Sequence, residues 1–149
     1  MYRVRETLMR SMGLDVGEVR IGIALSDETG LIAQGLRTLH RVSWKRDLQD
    51  LVDMADEHQV NQFVVGYPLN LDGSAGRQAQ RISDFVIRLR SKTPIEVLLW
   101  DERFTSLSAE KILLEGRVRR DKRKRIIDQM AATIMLQSYL DSQNTEQRN

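Results

Sequence analysis

The sequence contains no cysteine and only two histidines among its 149 residues. Without thiols the chain can form neither disulfides nor thiolate metal sites, and two scattered histidines argue against a histidine-based zinc site. Any metal ion is therefore expected to be bound by oxygen ligands.

Long hydrophobic runs are also missing. No apolar segment approaches the roughly 20 residues that span a bilayer, and the charged start MYRVRETLMR lacks the apolar segment of a secretory signal. We therefore expect a cytoplasmic protein with no membrane partner.

The chain length and charge are those of one ordinary globular domain. The chain is 41% hydrophobic and carries 23 Lys and Arg against 21 Asp and Glu, which allows a single core of substantial size. We expect an N-terminal extension at residues 1–11, one domain at residues 12–140 and a disordered tail at residues 141–149. The only strong composition shift is the basic run RVRRDKRKR at residues 117–125.

Apolar patterning predicts five strands. Residues 12–16, 21–25 and 31–39 are separated by turn-forming residues and are expected to form an antiparallel start. Residues 63–65 are a continuous apolar run, typical of a parallel strand buried on both faces, and residues 95–100 are expected to form the fifth strand.

Helical spacing of apolar residues predicts the remaining elements. Ser43 is expected to cap a first helix whose apolar stripe includes Trp44, and a second helix ends before Pro94. A third helix is expected from Thr105 or Ser106 to near Gly116, and a last one over residues 124–140. The predicted fold class is α/β, with a mixed five-stranded sheet flanked by helices on both faces. Trp44 is expected in the core, which leaves few aromatics to stack bases.

Acidic residues occur where the pattern favours apolar ones. Asp15 lies inside the first strand, Asp101 and Glu102 close the fifth, and Asp128 shares a helix face with the small residues Ala131 and Ala132. If the helix packs closely on the sheet, these carboxylates cluster, and like charges repel unless a cation neutralises them. Oxygen-only ligands favour Mg²⁺ or Mn²⁺, and two such ions can hydrolyse phosphodiesters. Gly13 and Gly17 are expected to leave room for a substrate backbone beside Asp15.

Each of these residues also has a simpler interpretation. Asp15 is a common turn former, Asp128 can pair with Lys124 one helical turn away, and Asp101 or Glu102 can cap the next helix and pair with Arg103. Charge runs are usually solvated loops, yet seven basic residues also suit a nucleic-acid backbone. Arg20 and Arg103 are equally compatible with carboxylate pairing and phosphate contact. The candidate nucleic-acid-binding residues are Arg20, Arg103, Arg117, Arg119, Arg120, Lys122, Arg123 and Lys124.

Four motifs resemble, in order and spacing, those of the YqgF-type proteins, a family described both as Holliday junction resolvases and as pre-16S rRNA nucleases. They are MGLDVGEVRIGIALSD, VVGYPLNLDGSAG, WDERFTSLSAE and RKRIIDQMAATIMLQSYL, and together they extend over most of the chain. The resemblance implies a ribonuclease H-like fold and a metal-dependent nuclease. By position it implies that Asp15, Glu102 and Asp128 are the catalytic acids and metal ligands, with Asp101 as an additional candidate ligand.

Three functions follow as hypotheses. The leading one is a Mg²⁺- or Mn²⁺-dependent nuclease that processes the 5′ end of pre-16S rRNA. The second is cleavage of branched DNA, which predicts a homodimer with two active sites on opposite strands. The third is a non-catalytic module that binds rRNA or an assembling ribosomal particle.

Overall fold

Five strands form one mixed sheet in the computed structural model, which describes residues 9–70, 72–104 and 120–148. The strands are β1 (Ser11–Val16), β2 (Arg20–Ser26), β3 (Ala33–His40), β4 (Gln62–Tyr67) and β5 (Glu96–Asp101). Their order is β3-β2-β1-β4-β5. Strands β1 to β3 pair antiparallel, whereas β4 joins β1 and β5 in parallel. The predicted mixed five-stranded sheet is confirmed.

Helices cover both faces of this sheet. Helix α1 (Trp44–Glu57) begins after Ser43, whose side chain accepts a hydrogen bond from the amide of Arg46, as predicted. Helix α2 is Arg77–Lys92, a 3₁₀ turn follows β5 at Glu102–Phe104, and helix α3 is Arg120–Arg148. No helix in the described ranges is long and apolar enough to cross a bilayer.

Helix α3 differs from the prediction at both ends. It begins at Arg120, because the Arg and Lys residues of the basic run are good helix formers with no Gly or Pro among them. It also continues to Arg148, whereas the sequence predicts a disordered tail from residue 141. The side chain of Gln137 bonds Asp141 one turn on at 2.9 Å, and Asn144 Nδ2 donates to the carbonyl of Gly30 at 3.4 Å. The predicted third helix and residues 1–8 of the expected extension lie outside the described residues.

The core is divided between the two faces according to strand alternation. On one face Met12, Leu14 and Val16 of β1 are buried beneath α1 and α2. On the other face α3 packs Ala132 and Leu136 against the sheet. Since side chains alternate along a strand, Gly13 and Asp15 lie on the α3 face.

Glycines of the sheet let α3 approach it closely. A Cβ built on Gly13 would lie 2.8 Å from Cβ of Leu136, and one built on Gly22 only 2.0 Å from the carbonyl oxygen of Asp128. At Gly35 the nearest atom is the mobile end of Gln129, at 3.2 Å. The room expected for substrate beside Gly13 is thus occupied by helix α3.

We expect Gly22→Ala to lower the free energy of unfolding by about 3 kcal/mol or more, because the new methyl group must displace the helix backbone. Gly35→Ala is the matched control: only the Gln129 side chain must move, so its cost should stay below about 1 kcal/mol. Urea unfolding measures both. Equal losses would contradict close helix packing at Gly22.

Candidate active site

A cleft of about 270 Å³ opens where β1 and β4 end, beside the N-terminal half of α3. Three carboxylates and one guanidinium line it. The lining residues are Asp15, Val16, Gly17, Arg20, Gly66, Pro68, Gln78, Ile82, Glu102 and Asp128. The structure thus brings together three of the four acids that the sequence singles out.

Asp15 occupies the middle of this group because of its register. It lies directly opposite Gly22 on β2. On the other side, the parallel register that pairs Leu14 with Val65 makes Gly66 its next neighbour on β4. In this register Asp15 is flanked by two positions that have no side chain. Asp15 itself is half-buried.

The other two acids lie above those two glycines. The backbone of Asp128 covers Gly22, and Oε1 of Glu102 lies 2.5 Å from where a Cβ of Gly66 would be. A side chain at either position would push one carboxylate away from Asp15. The convergence of the acids therefore depends on glycines that the sequence-based prediction did not include, although a glycine within an otherwise buried strand signals a close approach.

Arg20 pairs with Asp128 inside the cleft. Its Nε donates to Oδ2 of Asp128 at 2.6 Å, with side chains 23% and 18% exposed. The carboxylate-pairing interpretation of Arg20 is the one seen here, and the partner of Asp128 is Arg20 from strand β2. Partial burial makes this charge-assisted hydrogen bond stronger than a surface ion pair.

The carboxylates that line the cleft are the ligand type that an oxygen-preferring divalent cation needs, but they are not close enough together to form a metal site. Within residues 9–70, 72–104 and 120–148, no three His, Cys, Asp or Glu side chains form a group able to hold a metal ion. The close carboxylate cluster expected from the sequence is therefore not assembled. One physical reason is visible: Asp128 is drawn toward Arg20. Binding at Asp128 requires Arg20 to move or the second carboxylate oxygen to act as the ligand.

Asp101 is held outside the cleft by Arg103. The Arg103 side chain donates hydrogen bonds to both carboxylate oxygens of Asp101. Nη2 donates to Oδ2 at 2.6 Å, and Nε donates to Oδ1 at 3.1 Å. These hydrogen bonds hold the pKa of Asp101 below its ordinary value of 3.8. Asp101 is not among the residues that line the cleft, so of the two acids that close β5, Glu102 faces it.

The basic run is only partly described. Arg117 and Arg119 lie outside the described residues. Arg120, Lys122, Arg123 and Lys124 form the first turns of α3, and their side chains are outside the described part of the chain. The helix that contains them leads directly to Asp128 at the cleft.

Trp44 does not lie in the core as predicted. It is 36% exposed, and Arg41 and Arg88 place their guanidinium groups over its ring, at 4.8 and 4.4 Å from the ring centroid. Stacking of cations on an aromatic face stabilises an exposed indole, and apolar spacing along the helix cannot reveal it.

We expect Arg103→Ala to raise the pKa of Asp101 towards 3.8, because the Arg103 hydrogen bonds favour the ionised carboxylate. A depressed carboxylate pKa stabilises the fold above the unfolded-state value, and the effect is lost as the pH falls through the folded-state pKa. The variant should therefore be less stable than the parent at pH 6, and the difference in the free energy of unfolding should narrow as the pH falls below 3.8. Carbon-detected NMR titration and urea unfolding check both points.

Asp27 is the internal control for that titration. Its pKa is lowered mainly by the hydroxyl of Thr29 and should not move in the Arg103 variant. A shift at Asp27 equal to that at Asp101 would indicate a general disturbance of the fold.

Comparison with known proteins shows that the chain is similar to proteins named as nucleases. The chain is 46% identical over 133 residues to a Carboxydothermus hydrogenoformans protein, an alignment that covers 89% of this chain and 96% of that protein. A Thermoanaerobacter pseudethanolicus protein is 45% identical over 139 residues, covering 93% of this chain and all of that protein. Both carry the name "Putative pre-16S rRNA nuclease".

The fold itself has solved counterparts. Thermus thermophilus RuvC in complex with a Holliday junction substrate matches with a TM-score of 0.57 and 11% identity, covering 91% of this chain and 95% of that one. At this identity the likeness concerns the fold alone, and it confirms the expected ribonuclease H-like architecture. The resemblance to YqgF-type proteins is confirmed as well. The family model described as RuvX, Holliday junction resolvase, matches residues 9–142, and the chain belongs to that family.

Proposed function

We propose that the chain is a divalent-metal-dependent nuclease that hydrolyses phosphodiester bonds at the 5′ end of pre-16S rRNA. The observation that carries the proposal is the common cleft of Asp15, Glu102 and Asp128, drawn from β1, the turn after β5 and α3. Carboxylates from three distant segments have no structural need to share one cleft. Three carboxylates that line one cleft supply the oxygen ligands that a divalent cation prefers.

The charge of the cleft supports a requirement for metal. Its described lining carries three carboxylates and one guanidinium, a net charge of −2 from −3 and +1. A phosphodiester is itself an anion and is repelled by such a surface unless cations reverse the sign. Asp15, Glu102 and Asp128 are the proposed ligands of Mg²⁺ or Mn²⁺. When bound, a pair of such ions activates water and stabilises the leaving oxygen.

The remaining lining orients the substrate. Gly17 presents bare backbone at the cleft, where a nucleic-acid strand can approach, whereas the space over Gly66 is taken by the Glu102 carboxylate. Arg20 holds Asp128 in one rotamer and supplies the only positive side chain among the described lining residues. Once Asp128 turns to a cation, the Arg20 guanidinium is well placed to bind a phosphate oxygen.

The names of the relatives support RNA as the substrate. The basic residues Arg117, Arg119, Arg120, Lys122, Arg123 and Lys124 are proposed to bind the backbone of the precursor, either as RNA or within a ribosomal particle, and Arg103 remains a candidate phosphate contact. A cytoplasmic location stays a prediction. The family description favours a second candidate, cleavage of branched DNA by a homodimer.

We expect Asp15→Asn and Asp128→Asn each to reduce cleavage at least about 100-fold, because even partners that only orient metal ligands cost 10- to 100-fold when lost. Precursor rRNA and a four-way DNA junction should be tested side by side with Mg²⁺ and Mn²⁺. Asp56→Asn is the matched control, an exposed acid on α1 away from the cleft. Full activity of Asp15→Asn would defeat the proposal, and cleavage of the junction alone would favour the second candidate.

We expect Arg20→Gln to tighten Mn²⁺ binding about 3- to 10-fold, since it removes a competing cation from Asp128. The same change should weaken binding of the nucleic acid. Isothermal titration with Mn²⁺ alone measures the first effect without any cleavage. Unchanged Mn²⁺ affinity would mean that Asp128 is not a ligand or that Arg20 does not compete for it.

A further inference from the structure

A second and larger cavity lies next to the cleft. It has a volume of about 570 Å³, within the range of about 300–1,000 Å³ typical of small-molecule sites. Val16, Gly17, Gln78 and Ile82 line both the cavity and the cleft. The two spaces therefore meet at the turn between β1 and β2. We call this cavity the Trp44 pocket, because Trp44 lines it.

The walls of the Trp44 pocket form a fixed stacking surface. The guanidinium of Arg41 lies 4.8 Å from the Trp44 ring centroid, and it is anchored by a 2.9 Å hydrogen bond to the carbonyl of Gly17 and a longer one to the buried Asp47. Arg88 of α2 also lies 4.4 Å from this ring but does not line the pocket. The planar groups that line the pocket, the guanidinium of Arg41 and the indole of Trp44, thus offer a surface on which a flat ring can stack.

The charge of the pocket argues against an anion as its occupant. Two arginines, Arg41 and Arg81, face three acids, Glu18, Asp47 and Asp84. Arg81 is moreover paired with Glu18. A phosphate gains little from such a balanced lining. A flat, uncharged ring bearing hydrogen-bond donors and acceptors gains both stacking and polar contacts, for instance with Gln78 and Asp84.

We propose that the Trp44 pocket binds an unpaired base of the nucleic-acid strand whose phosphodiester occupies the neighbouring cleft. The inference rests on the proposed nuclease function and adds to it a substrate class: strands with an unpaired nucleotide beside the cleavage point. A paired base is stacked within a duplex and cannot enter a cavity of this kind. The phosphate and the base of one strand are thereby bound at two adjoining sites.

Intrinsic fluorescence tests the inference directly. The chain has two tryptophans, so a Trp100→Phe background leaves Trp44 as the only one. With Mg²⁺ present, and in a stopped-flow reading taken before cleavage proceeds, a single-stranded oligonucleotide should quench Trp44. A duplex of the same sequence and a fully abasic strand of the same length should not. Equal quenching by the abasic strand would overturn the inference, as would quenching by a mononucleotide but by no oligonucleotide.

Variants separate stacking from folding. Trp44→Leu should weaken binding of the single strand about 10-fold and leave binding of the abasic strand unchanged, whereas Trp44→Phe should restore most of the affinity. Arg88→Gln, an exposed change on α2, gives a second test with a smaller loss in the same direction. Thermal melting checks that each variant is folded. Unchanged single-strand affinity in folded Trp44→Leu would overturn the inference.

The proposed function and the pocket fail in different ways. If the parent protein cleaves no nucleic acid but Trp44 is quenched only by strands that carry bases, the base site stands without the nuclease. If the parent cleaves normally and Trp44→Leu cleaves single strands as well as the parent does, the nuclease stands and the base site is refuted.

Discussion

Helix α3 lies directly on the sheet because Gly13 and Gly22 carry no side chains, and the geometry of the cleft depends on that approach. The backbone of Asp128 occupies the space that a Cβ at Gly22 would fill. Gly66 does the same for the carboxylate of Glu102. Asp15 lies between these two glycines in the sheet. Two missing side chains, one in each strand that neighbours β1, thus bring three segments of the chain to one cleft.

The same packing places charged side chains, such as those of Arg20 and Asp128, in a partly buried environment. Burying carboxylates together is costly unless each finds a partner. In the described residues, no buried side-chain nitrogen or oxygen lacks a hydrogen-bond partner, and the pair formed by Arg20 and Asp128 is one of the means. An arginine that compensates an acid in the free protein is also a cation next to a site for anionic substrate. One residue can serve both states because its guanidinium offers several donors.

Much of the architecture can be predicted from apolar periodicity. Strands β1 to β5, helices α1 and α2 and the cap at Ser43 follow from local patterns, and the sheet order follows from the short connections and crossover helices. The acids were found because a charge inside an apolar run is conspicuous. Their partners were harder to find, since the contact between Arg20 and Asp128 joins residues 108 positions apart. The exposure of Trp44 differs from the prediction because helical spacing indicates only the direction in which a side chain points. It does not indicate that two arginines stack on the ring of Trp44.

The end of α3 illustrates a different limit. Residues 141–148 are polar and carry no hydrophobic stripe, and a polar terminus usually frays. Here a side-chain bond between Gln137 and Asp141 links the segment to the preceding turn of α3, and a contact from Asn144 to Gly30 joins it to the turn between β2 and β3. Such contacts depend on the tertiary structure that they help to stabilise. No local sequence pattern predicts them.

The ion pair of Arg20 and Asp128 also bears on whether the chain needs a metal ion in order to fold. In small metal-dependent domains the unfolded chain must find its ion before it can fold, and chelators denature the protein. Here one of the three cleft acids already has a cationic partner from its own chain, and most residues of the hydrophobic core do not line the cleft. A divalent cation that binds in the cleft would therefore change the competence of the site and leave the architecture as it was.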